Sequence, residues 1–129
     1  MKALSLTAGA AVALAACSAA HAVDCTALYN DSRLQLIVQI EAVRMFKDRY
    51  PSLSLPPGAS LFDKREFLEL LRAVLEMEQR AVKSLGATID NQCVPANKAE
   101  ENADRLRTLE DSLRAATTLY NKIAGAANG

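Results

Sequence analysis

The chain has 129 residues, with 15 basic and 15 acidic side chains, three cysteines, one histidine and no tryptophan. That length supports one domain around a modest single core, and the balanced charge excludes the basic footprint of a nucleic-acid-binding protein. His21 is the lone imidazole, so haem or zinc held by histidines beyond residue 22 is excluded as well.

At the N-terminus Lys2 precedes a small and apolar run from Ala3 to Ala16, then Cys17, then Ala20-His21-Ala22 ahead of Val23-Asp24. This is the pattern of a bacterial export signal. The run is about 14 residues long, short of the roughly 20 that a spanning helix needs. Two processing sites fit. Small residues at Ala20 and Ala22 suit ordinary signal peptidase and divide the chain into a signal peptide, 1–22, and one domain, 23–129. Alternatively, Leu14-Ala15-Ala16-Cys17 resembles a lipobox, which makes the signal 1–16 and Cys17 the lipidated first residue. Ser18 behind it would, by the same resemblance, favour the outer membrane. The expected address is the periplasm, with a tether to the outer membrane if Cys17 is acylated. Loss of residues 1–22 removes Lys2 alone and leaves acids one ahead of bases.

Under either cleavage Cys25 and Cys93 remain as a pair, and an oxidising compartment should join them. No Cys-x-x-Cys spacing supports a redox role. A staple across 68 residues contributes up to about 4 kcal/mol by the loop-closure argument.

Three helical patterns follow. The first spans about 26–49 and ends at Tyr50-Pro51, because the residue before proline is pushed out of the helical region. Leu28, Tyr29, Leu36, Ile37, Ile40, Val43, Phe46 and Tyr50 share a broad face, the expected core side. Residues 51–60 read as a proline-rich loop with a turn at Pro57-Gly58, whose Leu53, Leu55 and Leu61 are expected to fold back over the bundle end. The second helix is expected over 64–91, capped by Asp63 with Glu66 and clasped by Phe62 and Phe67. Its core line is Phe67, Leu70, Leu71, Val74, Leu75, Met77, Ala81, Val82, Leu85 and Ile89, with Gly86 weakening or bending the last turn. The third helix is expected over 97–124, opened by a capping box at Asn97 and Glu100. Ala99, Leu106, Leu109, Leu113, Ala116, Tyr120 and Ile123 form its seam, and Gly125 with the Ala-Asn-Gly tail stops it. Short connections predict an all-α, up-down-up three-helix bundle. An antiparallel hairpin of the first two helices sets Cys25 beside Cys93, so periodicity and disulfide reach agree.

Few residues point to chemistry. Leu34, Val38 and Met45, with Glu41 among them, form a second stripe opposite the core face of the first helix, a candidate contact for an envelope protein or a second copy of the chain. Glu78 falls within the apolar face of the second helix and must be neutral, paired or beside a cavity. Lys47, Glu110 and Arg114 border the seams, making an ion network a candidate, with Arg33, Arg44 or Arg114 answering Glu78. No nucleophile elbow, phosphate loop or Glu-x-x-His pair occurs, so no catalytic, cofactor-binding or metal-binding set is expected.

In outline, a small helical envelope lipoprotein with one disulfide looks like the secretion pilotins, and is similar to periplasmic immunity proteins. Those likenesses imply an escort or an inhibitor acting through a helical surface. The leading expectation is a non-enzymatic protein that binds or scaffolds another envelope protein. A carrier of a small apolar ligand, with a closed cavity near Glu78, is the second, and a structural filler of the periplasm the third.

Overall fold

The computed structural model describes residues 23–128, with side chains through residue 125. The export signal and Cys17 lie outside the described residues. The described chain is all-helical, with three long helices: α1 Cys25–Arg49, α2 Leu61–Asp90 and α3 Ala99–Asn128. A single 3-10 turn, Ala96–Lys98, leads into α3.

Asp24 starts α1, its side chain accepting from the Ala27 backbone N–H at 3.1 Å. Carboxyl capping satisfies a donor that the first turn leaves free. The helix stops at Tyr50, whose N–H still donates to the Phe46 carbonyl at 2.8 Å before Pro51 breaks the pattern. In the linker, Gly58 takes φ 75° in the turn closed by the Ala59 N–H on the Pro56 carbonyl, a conformation glycine adopts without steric cost. Leu55 packs on the core, Leu53 stands at φ 57° near the bundle surface, and Leu61 is exposed. Only part of the expected fold-back is therefore realised.

The start of α2 is set by Ser60, not Asp63. The Ser60 hydroxyl accepts from the Asp63 N–H at 3.1 Å, and the helix begins three residues ahead of the sequence expectation. Asp63 instead occupies the first turn, where a negative charge suits the helix dipole. No staple joins the two phenylalanines: Phe67 is fully buried and Phe62 is 73% exposed. Gly86 does not interrupt the helix, which runs on to Asp90. At its end the Cys93 N–H bonds the Thr88 carbonyl and the Gln92 N–H bonds that of Ile89, with Gln92 at φ 58°. This is a Schellman closure, with glutamine at the left-handed position that usually takes glycine. It turns the chain back so that Cys93 meets Cys25, and the two are bonded with Cα atoms 4.9 Å apart.

The start and end of α3 also differ from expectation. Asn97 lies in the 3-10 turn without a side-chain cap, and the helix continues past Gly125 to Asn128. Helical backbone hydrogen bonds outweigh the cost of about 1 kcal/mol for one glycine.

α2 lies between α1 and α3 and packs on both. Gln39 and Thr88 bridge α1 to α2 at levels that fix an antiparallel pair, and Arg72 to Tyr120 with Ser112 to Glu78 do the same for α2 and α3. Among the described residues no Cα of α1 approaches one of α3 within 8 Å. The outer helices are thus splayed on a central one.

Two apolar clusters hold the helices together. Nearer the proline-rich linker are Phe46, Tyr50, Phe67, Leu71 and Val74, where Phe67 meets both other rings edge-on at centroid distances of 5.1 and 4.9 Å. Nearer the disulfide are Ala81, Leu85 and Leu109, with Leu36 and Leu106 packed against them. The core line of α2 follows the sequence expectation; that of α1 does not. Ile37 and Ile40, assigned to the core face, are each 62% exposed, whereas Ser32 and Gln39 are buried. Gln39 turns inward because its amide donates to the buried Glu78 carboxyl on α2, while the Ser32 hydroxyl, donating to the Tyr29 carbonyl within α1, can be buried without loss.

Candidate functional site

Two features rise above ordinary packing. The first is the outward side of α1. Leu34 is 56% exposed, Met45 53% and Val38 36%, and Ile37 joins them on the same side. Among the described residues these side chains stay exposed, and no Cα of α3 comes within 8 Å of one of α1. Helical spacing aligns Leu34, Ile37, Val38 and Met45 into one patch. Glu41 lies within it, as the sequence places it, and is held by Arg44, whose guanidinium also reaches Asp48. The Arg44 hydrogen bond keeps the Glu41 carboxyl below the usual carboxylate range, and Glu41 in turn raises Arg44. The charges on this face are therefore answered within α1. Ile37 and Ile40 were not legible as surface residues, because their apolar character matched the core pattern.

The second feature is a polar layer between the two apolar clusters. Glu78 is completely buried on α2. Its Oε2 accepts from Gln39 Nε2 on α1 at 3.2 Å and from the Ser112 hydroxyl on α3 at 2.6 Å, so one carboxyl joins all three helices. Its Oε1 has no hydrogen-bond partner. The expected ion network is absent among the described residues: Arg44 is committed to Glu41 and Asp48, Arg114 to Asp111, and no described ion pair includes Glu78, Lys47 or Glu110. Register explains why Lys47 does not answer Glu78. Gln39 is level with Glu78, and Lys47 lies eight residues further on, about 12 Å along the axis. Gln39 and Ser112 were missed in the sequence because an isolated polar residue on a helix reads as surface; only Glu78, set amid apolar neighbours, signalled a buried group.

Where α1 and α3 diverge, an open groove of about 270 Å³ runs over α2. Leu71, Val74 and Glu78 form its floor. Val43 and Lys47 line one wall, Ser112, Ala115 and Leu119 the other, and Leu53 stands at one end. The cavity expected near Glu78 is therefore open on one side and not closed.

Among the described residues no group of three or more His, Cys, Asp or Glu side chains could hold a metal ion, and no helix is long and apolar enough to cross a membrane. The chain matches no protein-family model, no curated protein and no solved structure in the comparisons made.

Proposed function

We propose that this is a non-enzymatic protein of the bacterial envelope that binds another envelope protein through the outward face of α1. In this reading residues 1–22 are an export signal, or residues 1–16 with Cys17 carrying a lipid anchor. The exported part is an up-down-up bundle clamped by Cys25–Cys93. The observation that carries the reading is the patch formed by Leu34, Ile37, Val38 and Met45, four large apolar side chains on a helix face that none of the described elements covers. The disulfide supports the address, since such bonds persist outside the cytoplasm.

The partner fitted to this face presents an apolar helical surface, because α1 offers a ridge of side chains and internally paired charges. Pilotin-like escort and toxin inhibition are the roles by analogy. The test is recovery of a partner from envelope extracts by the wild-type chain and by a Leu34→Asp, Val38→Asp variant with unchanged helix content. Loss of the partner supports the face; equal recovery removes it from consideration, and recovery of the chain alone in sedimentation as a dimer replaces the heterologous partner with a second copy. Labelling with a palmitate analogue, compared with Cys17→Ser, separates the tethered form from the free one.

A further inference from the structure

We propose that the groove between α1 and α3 binds a small amphiphile with an ammonium head and an unbranched apolar tail, the head held by Glu78. This site is separate from the outward face of α1.

Glu78 supplies the head end. It is fully buried, it lines the groove, and its Oε1 has no partner, while Gln39 and Ser112 both serve Oε2. A buried acidic group left half-satisfied is costly, and the group that compensates it best brings a donor and a positive charge together. No arginine or lysine does so among the described ion pairs. Gln39 and Ser112 hold the carboxyl from opposite sides, so it is positioned before any ligand arrives.

The remaining floor and walls supply the tail site. Beyond Glu78 the groove is lined by Val74, Leu71, Leu119 and Ala115, and it ends at Leu53. From Leu71 to Glu78 the axis rises about 10 Å, close to the length of an extended octyl chain. The volume, about 270 Å³, sits at the lower edge of small-molecule sites. Lys47 marks the far end of the groove from Glu78 and sets a polarity: a cation is favoured at the buried end and disfavoured at the tail end.

The experiment uses the purified exported chain with its disulfide intact and three probes, octylamine and octanoate below their micellar concentrations and octanol below its solubility limit. Binding is read by calorimetry and by amide shifts at Val43, Glu78, Ser112 and Ala116. Octylamine should bind at least about tenfold more tightly than octanoate, with shifts confined to the groove. Glu78→Gln should weaken octylamine by about tenfold or more while changing octanol by less than about threefold. Ala115 is exposed on the groove wall, so Ala115→Leu narrows the tail site without disturbing the core and should weaken octylamine and octanol alike. If Glu78→Gln fails to fold, Ala115→Leu still decides between groove binding and adsorption elsewhere. Octanoate binding as tightly as octylamine, indifference of octylamine to both variants, or no groove shifts with any probe overturns the proposal.

Discussion

Severing the Cys25–Cys93 bond should cost this chain a large part of its stability while leaving its native helices in place. The bond closes a loop of 68 residues that contains all of α1, the linker and α2. Releasing that constraint from the unfolded chain is worth about 4 kcal/mol by the loop-closure relation. The native state loses little in return. Cys25 is exposed and Cys93 only half-buried, so replacing both sulfurs by hydroxyls opens no interior cavity. Unfolding entropy of roughly 2.1 cal/mol/K per residue, summed over the described length, comes to roughly 0.2 kcal/mol/K, and the expected fall in Tm is therefore roughly 20 °C. The assay is thermal and urea denaturation of the Cys25→Ser, Cys93→Ser double variant beside the oxidised parent, followed by far-UV circular dichroism. The urea slope should steepen, because an unclamped unfolded chain exposes more surface. A Tm within about 5 °C of the parent, with an unchanged slope, would refute the reasoning that the bond acts on the unfolded ensemble.

Three further outcomes follow from single positions. Gly86 is helical, and a Cβ added there meets nothing within 4 Å, so Gly86→Ala should raise unfolding free energy by about 0.5–1 kcal/mol; a loss in urea titration would show that α2 needs the glycine. Gln92 sits at φ 58° in the closure that delivers Cys93, and Gln92→Gly should gain about 0.5–1 kcal/mol by removing the left-handed penalty, whereas a destabilised variant would place the strain elsewhere. Burial first, and then the hydrogen bond to Glu66, raise the Tyr50 phenol above the ordinary tyrosine value. A raised folded value means that this contribution is whole below about pH 10 and is lost as pH climbs through the folded value. The stability of the parent should fall in that alkaline window and Tyr50→Phe should remove the dependence, with one of the three tyrosines lagging in the phenolate absorbance titration.

What the sequence made legible was whatever one element decides by itself. α2 carries an apolar line, and Phe67, Leu71, Val74, Ala81 and Leu85 are buried where that line puts them, with Glu78, Ser84 and Thr88 as the polar members of the same face. The Cys25–Cys93 pairing followed from cysteine count, since these two remain under either cleavage, and the antiparallel hairpin of the first two helices agreed with it by bringing both positions to one end. Boundaries were less legible, because two local signals competed and the choice turned on backbone geometry. Ser60 and Asp63 both suit an N-cap, and it is Ser60 that has the extended backbone and accepts from the Asp63 N–H. At Gly125 the reverse occurred, and helix propagation carried α3 through a residue that often ends one.

The misreading of α1 and the site over α2 share one cause. Counting apolar residues turns Ile37 and Ile40 inward, yet α1 presents Ser32, Gln39 and Phe46 to α2 and leaves both isoleucines in solvent. Gln39 faces inward because a fully buried carboxyl stands level with it on α2; neither residue alone carries that information. A helix that buries glutamine and exposes isoleucine gives up burial free energy of about 1.5–3 kcal/mol for each large side chain left outside. Local rules are broken in this way where another demand constrains the position. On α1 the two departures fall on different sides. One leads to Glu78 and the groove, the other to Leu34, Ile37, Val38 and Met45, so a small amphiphile and a protein partner can be tested on the same helix with separate substitutions.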